Sequence, residues 1–147
     1  MTSLLSGSLR LSASGPLGTD EVWERYTHPV WWPQWSPHLR EVDYPHPAVV
    51  PGTTGRVTGV GGVVAVFHID AVDEEARTWS WSVRSGPLRV SFDHGVDPVA
   101  GVTSLDVPRT RSDAGSTAWL VTHALWPVAV GYAPVARLSL GRLVHPL

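Results

Sequence analysis

The pattern that most constrains the fold is a series of five segments rich in β-branched and aromatic residues, which begins at residue 54 and ends at residue 125. Turn signals separate these segments at residues 61–62, 73–75 and 85–87. Such residues favour extended backbone, and short turns join strands that run antiparallel. The sequence therefore predicts an antiparallel meander, with the segments TGRVTGV, VVAVFHIDAV, TWSWSV, LRVSFDHGV and TAWLVTHAL.

The regions on either side of the meander predict one more strand and helices. Leucines alternate with serine and arginine over residues 4–13, which is the pattern of a half-buried strand. The next segment, TDEVWERYT, offers Thr19 or Asp20 as N-cap and acidic residues in its first turn, as a short helix does. Residues 132–147 return to helical spacing, with Pro134 in a first-turn position.

Length and composition exclude several classes of protein. The chain of 147 residues is expected to form a single domain, 1–147, with room for a core and a cavity. The net charge of -2 and the scattered arginines leave no basic patch, so we expect no nucleic-acid partner. Cysteine and lysine are absent, which excludes disulfides, thiolate catalysis and a Schiff-base lysine. No secretory signal or membrane-spanning apolar run is present, and we expect a cytoplasmic protein.

The stretch HPVWWPQWSPHLREVDY, residues 28–44, gathers Trp31, Trp32 and Trp35 among prolines. Proline removes a backbone donor and breaks a regular helix, so this segment cannot form a long one. Tryptophan supplies a large rigid apolar surface and one N–H donor. The cluster therefore either packs in the core or contacts a ligand, and the sequence leaves both interpretations open.

Several short motifs are spread along the chain. They are Val22-Trp23, Trp32-Pro33-x-Trp35-Ser36-Pro37, Glu41-Val42, Trp79-x-Trp81, Gly86-Pro87, Phe92-x-His94-x-Val96 and Gly115-Ser116-Thr117. Together they resemble the SRPBCC, or START-like, superfamily, and in particular its polyketide cyclase/dehydrase branch. The resemblance covers roughly residues 4–144 and is most specific at its beginning. The resemblance implies an α+β helix-grip fold, START/Bet v 1-like, in which a curved antiparallel β-sheet wraps around a C-terminal helix and two short helices follow strand one.

Two features depart from the pattern of this superfamily. The connection over residues 99–116 looks longer than usual. Connections of that length tend to be lids, binding loops or mobile segments, so its role at a cavity mouth stays open. The C-terminal helix looks short and carries Pro134 and Gly141, which leaves the length of the gripping helix open.

The resemblance also implies an elongated, mostly apolar cavity between the sheet and the C-terminal helix. Trp31, Trp32 and Trp35 would lie near one end of it and either wall the cavity or close the open end of the sheet. A flat polycyclic or lipid-like molecule would suit such walls. The further aromatic residues expected to contact the ligand are Tyr44, Phe67, Trp81, Phe92, Trp119 and Tyr132.

Strand alternation singles out two histidines as candidate catalytic residues. His94 shares a strand face with Val90 and Phe92. If that face is concave, His94 lies in an apolar tunnel and can exchange a proton near neutral pH. The alternative is a histidine satisfied by a backbone carbonyl. His123 is the second candidate, although both faces of its strand are apolar and its direction is ambiguous.

His68 and Asp70 form a third candidate group. They could be a cavity histidine oriented by a carboxylate, or an outward-facing polar pair. With His94 or His123 they have the composition of a two-histidine, one-carboxylate iron site, but residues spread over such a sheet need not converge. We expect no metal. Motifs for a nucleophilic serine, a phosphate loop or a dinucleotide are missing, and we expect no cofactor.

The resulting functional prediction is a cofactor-free cyclase or dehydratase acting on a hydrophobic, polyketide-like substrate. Aldol closure needs a folded substrate, a base and a donor that stabilises the oxyanion. His94 or His123 would exchange the proton, and Tyr44 or Tyr132 would donate the hydrogen bond.

Arginines would contribute at the polar end of this substrate. Arg84 or Arg89 would anchor a carboxylate or the phosphopantetheine of an acyl carrier protein, and the alternative for both is a solvated strand face.

Two other functions remain open. A carrier for a lipid-like or aromatic molecule would have few, non-convergent polar groups in its pocket, whereas an enzyme would bring two titratable groups to one spot. An interaction protein would have surface tryptophans and a filled core.

Overall fold

A computed structural model describes residues 6–99 and 115–147. The strands within these ranges are β1 (Ser6–Gly15), β2 (Leu39–Asp43), β3 (Thr54–Gly59), β4 (Val64–Asp73), β5 (Thr78–Ser85), β6 (Leu88–Pro98) and β7 (Ser116–Leu125). They form one antiparallel sheet in the order β1-β7-β6-β5-β4-β3-β2. The predicted meander is confirmed, and the first strand joins the last one at the edge of the sheet.

The helices complete the predicted α+β class. They are α1 (Thr19–Thr27), α2 (Trp32–Trp35) and α3 (Trp126–Val144). A 3-10 turn over Pro29–Trp31 precedes α2. The two short helices after strand one are confirmed. Asp20 and Glu21 lie in the first turn of α1, where carboxylates favour the helix dipole, and Gly18 takes the N-cap position.

Two elements differ from the expectation. The segment of β2 was not predicted as a strand, and α3 begins at Trp126 instead of residue 132. The helix therefore has 19 residues and is not short. Pro127 is its first-turn proline, which costs no hydrogen bond there, and Pro134 lies inside the helix. The connection predicted as a possible lid falls largely on residues 100–114, outside the described residues.

The inner face of the sheet carries most of the core. α3 packs across β1 and β7, and α1 contacts β6 and β7. The buried residues of α3 are mainly small or aliphatic, which lets the helix approach the sheet closely. They are Ala129, Ala133, Ala136, Ser139, Leu140, Leu143 and Val144. The cavity lies over the inner face of β3 to β6. None of the helices in the described ranges meets the length and hydropathy needed to cross a bilayer.

Candidate ligand-binding cavity

A cavity of about 330 Å³ lies between the inner face of the sheet, α1, α2 and α3. Among the described residues, its lining includes aliphatic and aromatic side chains and contains no Asp, Glu, Arg or Lys. The polar lining residues, apart from tryptophan, are Tyr26, Ser36, His38, His94, Tyr132 and Ser139. Transfer of a charged group into such a space is costly without a partner of opposite charge, so the cavity suits a neutral, mostly apolar molecule.

Six residues predicted from the sequence line this cavity: Trp32, Trp35, Trp81, Phe92, His94 and Tyr132. Period-2 alternation explains the strand residues, because Phe92 and His94 on β6 and Trp81 on β5 all point to the inner face. The structure brings these side chains together, and their roles in binding stay predictions.

Two tryptophans of the proline-rich stretch cap the end of α1. The Trp32 indole N–H donates to the carbonyl of Tyr26 at 2.9 Å, and the Trp35 indole N–H donates to the carbonyl of Arg25 at 3.0 Å. The last carbonyls of a helix have no partner inside it, so these bonds satisfy groups that burial would otherwise leave unpaired. The tryptophans thus build the cavity wall and terminate α1 at the same time.

Trp79 lines the cavity but was not among the predicted ligand contacts. Its ring stacks on His94, with the ring centres 4.4 Å apart and an interplanar angle of 21°. On another side it stacks on Trp32 at 5.7 Å and 14°. The motif Trp79-x-Trp81 contained the signal, because residues two apart on a strand share a face.

His94 forms a short hydrogen-bonded chain with Tyr26, which the sequence analysis also missed. The Tyr26 hydroxyl donates to the carbonyl of Trp119 at 2.8 Å, and His94 Nδ1 lies 3.2 Å from the same hydroxyl oxygen. Burial lowers the pKa of His94 to about 3. Burial, and secondarily Tyr132, raises the pKa of Tyr26 well above its usual value. His94 is therefore neutral at pH 7, and the expectation that it titrates near neutrality was wrong.

The opening of the cavity lies beside the turn between β3 and β4. Val60 and Val63 line the cavity although they are 64% and 60% exposed, so the turn forms its rim. Gly61 and Gly62 have positive φ angles of 87° and 83°, which the turn requires. The backbone N–H of Val60 donates to the carbonyl of His38 at 3.0 Å and holds the rim against the start of β2.

His38 and Tyr132 are the polar pair nearest this rim. The Tyr132 hydroxyl lies 3.5 Å from His38 Nε2, and Ser36 Oγ lies 3.2 Å from His38 Nδ1. Burial lowers the pKa of His38 and raises that of Tyr132 to about 12. Tyr132 was predicted. His38 and Ser36 were not predicted, since they lie within the proline-rich stretch, where no periodicity marks a face.

Solved structures share this architecture over nearly their whole length. Ara h 8.0201, a Bet v 1 homologue, is 16% identical with a TM-score of 0.64, and the match covers 94% of this chain and 97% of that one. An uncharacterised protein from Bacillus thuringiensis is 12% identical with a TM-score of 0.72, covering 94% and 96%. XoxI from Bacillus cereus is 11% identical with a TM-score of 0.72, covering 94% and 93%.

The chain has the helix-grip fold. Identities this low establish the fold alone, so the expected Bet v 1-like architecture is confirmed and the polyketide cyclase branch stays a prediction. No protein-family model matches the chain, and no curated protein matches it.

Three residues that were predicted to contact the ligand do not line the cavity. Phe67 is fully buried and packs on Trp32 and Trp81, and Trp31 is half-buried against the core. The Tyr44 hydroxyl is bonded to Thr53 Oγ1 at 2.6 Å and accepts from the N–H of Val50 at 2.9 Å. Phe67, Trp31 and Tyr44 are not among the residues that line the cavity.

Three other predicted site residues lie on the outer face of the sheet, which corrects their placement. His123 is 44% exposed and lies between Ser8 Oγ, 2.9 Å from its Nδ1, and Asp93 Oδ2, 2.8 Å from its Nε2. Arg84 is exposed, because Trp81 and Val83 define the inner face of β5. Arg89 is also exposed, and the register pairs it with Arg84.

Trp119 is a fourth predicted site residue that lies on the outer face. Its ring covers Gly95 of the neighbouring strand so closely that a Cβ at that glycine would overlap it. The Arg10 guanidinium lies 4.6 Å from the ring centre on the outside of the sheet. The direction of β7 could not be read from its sequence, since both of its faces are apolar.

His68 and Asp70 also point outwards and bond to each other. His68 Nδ1 lies 2.8 Å from Asp70 Oδ1, and Asp70 Oδ2 accepts from Ser82 Oγ at 2.7 Å. His94 is on the opposite face and His123 is held by Asp93, so the iron-site composition noted in the sequence does not converge. Within residues 6–99 and 115–147, no group of three histidine, aspartate or glutamate side chains could hold a metal ion.

Proposed function

We propose that this protein binds and carries a neutral hydrophobic small molecule in its cavity. The observation that carries the proposal is a space of about 330 Å³ that the described residues line mainly with aromatic and aliphatic side chains and with no charged ones. Pockets of this size are at the lower end of those that hold small ligands, so a molecule of two or three fused rings is the expected occupant.

A pair of neighbouring substitutions tests this proposal. Ala65 lines the cavity and Val66, the next residue on β4, points outwards. In Ala65→Trp the indole fills the cavity, and we expect the affinity for 2-naphthol, measured by calorimetry, to fall more than about tenfold. Val66→Trp adds the same side chain to the outer face and should bind as the parent does. Equal binding by the two variants would contradict the proposal.

Cyclase or dehydratase activity is the second candidate function. It is favoured by one observation: His94 Nε2 and the indole N–H groups of Trp79 and Trp81 are buried without partners among the described residues, next to the space a substrate would fill. An acceptor and donors in one apolar cavity are the ingredients of enolisation. The lowered pKa of His94 makes it a weak base, which is why carriage ranks first.

Product analysis separates the two candidates. An aromatic polyketone that binds the parent protein is incubated with it. Chromatography with mass spectrometry then follows the isomeric product of aldol closure and the loss of water in its dehydration. Cyclisation by the parent and its loss in His94→Phe, with binding retained, would establish the enzyme. Binding without any turnover supports the carrier.

Three further expectations concern a protein partner, an acyl carrier protein and the location of the protein. The interaction-protein alternative required surface tryptophans and a filled core, and none of the tryptophan side chains that the structure describes is exposed. An acyl carrier protein partner stays a prediction, without the anchoring arginines first suggested, since Arg84 and Arg89 lie on the outer face. The cytoplasmic location also stays a prediction.

A further inference from the structure

The hydrogen bonds of Tyr26 determine which nitrogen of His94 carries the proton. The Tyr26 hydroxyl has one hydrogen. Among the described residues it has two hydrogen-bond partners, the carbonyl of Trp119 at 2.8 Å and His94 Nδ1 at 3.2 Å. A carbonyl can only accept, and it is the nearer neighbour, so the hydroxyl hydrogen points to Trp119. The hydroxyl oxygen is then an acceptor for His94, and Nδ1 must be the protonated nitrogen.

This tautomer leaves the other nitrogen of His94 as a bare acceptor. A neutral imidazole carries one hydrogen, so Nε2 has a free lone pair when Nδ1 is protonated. Nε2 is buried and has no partner among the described residues, while the ring itself lines the cavity and is only 6% exposed. A buried acceptor without a donor costs free energy, which a ligand hydrogen can recover.

We propose that the cavity selects a neutral ligand that carries a hydroxyl group, which donates its hydrogen to His94 Nε2. Tyr26 is the positioning residue that holds His94 in the accepting tautomer. This inference rests on the proposed function and specifies the ligand class for the same cavity: a flat, neutral ring system with a phenolic or alcoholic hydroxyl.

Two further groups favour a hydroxyl over other oxygen functions. The indole N–H groups of Trp79 and Trp81 are also buried without partners among the described residues, and both residues line the cavity. A hydroxyl oxygen can donate to His94 and accept from an indole, whereas an ether or ketone oxygen only accepts. A carboxylate has no hydrogen to donate at pH 7 and would meet no cation among the described lining residues, so fatty acids are disfavoured.

The tautomer is tested without any ligand. In protein labelled with 15N-histidine, long-range 1H–15N correlation spectra distinguish a protonated ring nitrogen from a bare one. The signals that disappear in His94→Phe are those of His94. We expect His94 to be protonated on Nδ1 and bare on Nε2. In Tyr26→Phe the acceptor is removed, and the signals should shift towards a mixture of tautomers. A His94 protonated on Nε2 in the parent protein would overturn the inference.

Ligand selection is tested with 2-naphthol and its methyl ether, 2-methoxynaphthalene, by calorimetry. The parent should bind the naphthol about tenfold more tightly, the effect of one buried hydrogen bond. In His94→Phe the two affinities should agree within about twofold, with the ether bound as before. Tyr26→Phe should reduce the preference, and His123→Gln, a histidine exchange on the outer face, should keep it.

The outcomes separate the two proposals. If the parent binds both molecules equally well, the cavity binds ligands but does not select a hydroxyl, and only the present inference is overturned. If the parent binds neither, the proposed function fails together with the selection, whatever tautomer the spectra report.

Discussion

The inner and outer faces of the sheet each carry a histidine, and the two side chains have opposite surroundings. His94 on β6 is 6% exposed, stacked on Trp79 and bonded through a single nitrogen. His123 on the adjacent β7 is 44% exposed and bonded through both nitrogens, to Ser8 and Asp93. The outer face satisfies its polar groups with its own neighbours. Among the described residues, the inner face leaves His94 Nε2 and the indole N–H groups of Trp79 and Trp81 without partners beside the cavity. Such unpaired groups are typical of a ligand site.

The largest expected difference between the faces is in stability. Trp32 is 1% exposed, packs on Trp79, Trp81 and Phe67, and caps α1, so Trp32→Ala should lower the free energy of unfolding by about 3–5 kcal/mol. Trp119→Ala, the outer-face control, should cost about 1–2 kcal/mol because Trp119 is only partly buried. Chemical denaturation measures both. Similar losses would mean that the two faces are equally important for packing.

A smaller difference is expected in the response to acid. Burial lowers the pKa of folded His94 to about 3, whereas an unfolded histidine titrates near 6.5. Between these values the unfolded chain binds a proton that the folded chain does not, so stability is unaffected above about pH 6.5 and falls as the pH decreases. The loss is up to about 1.4 kcal/mol per pH unit.

His94→Phe removes this contribution, and urea denaturation between about pH 7 and pH 5 should give a flatter dependence of the unfolding free energy on pH than the parent shows. His38, whose pKa burial also lowers, contributes in the same direction and remains in the variant. An unchanged slope in His94→Phe would contradict the buried, neutral histidine.

The smallest effect is expected on the outer face. His68 and Asp70 are 49% and 40% exposed, and solvent screens their interaction. A double-mutant cycle with His68→Ala and Asp70→Ala, followed by thermal denaturation, should give a coupling of about 0.2–1 kcal/mol that decreases with added salt. A coupling of several kcal/mol would show that the outer face is not simply a solvated surface.

The fold could be predicted where one face of an element is polar. On β6 the sequence separates a polar face from an apolar one, because Arg89, Ser91 and Asp93 alternate with Phe92 and His94. The segment of β2 was missed because it is a short edge strand with charged side chains, a composition that protects an edge from other strands but hides its secondary structure. The first part of α3, WPVAVGY, has β-branched residues and glycine, and packing on the sheet overrides their low helix propensity.

The candidate site could be predicted only in part, because alternation gives the two faces of a strand but not which of them is concave. His94 was placed correctly, whereas Trp119 and His123 were not, since Val121 and Leu125 make the outer face of β7 as apolar as the inner one. Tyr26 was not a predicted site residue. Its bond to His94 spans 68 residues and depends on tertiary structure that no local pattern contains.

The most direct test of the account is a titration of 15N-labelled protein with 2-naphthol, followed through the indole N–H signals of the tryptophans. Trp79 and Trp81 line the cavity, whereas Trp23, bonded to Glu74, and Trp119, on the outer face, do not. We predict saturable shifts of the Trp79 and Trp81 signals, with those of Trp23 and Trp119 unmoved. Shifts confined to Trp23 or Trp119, or no saturable shift at all, would contradict a ligand-binding cavity.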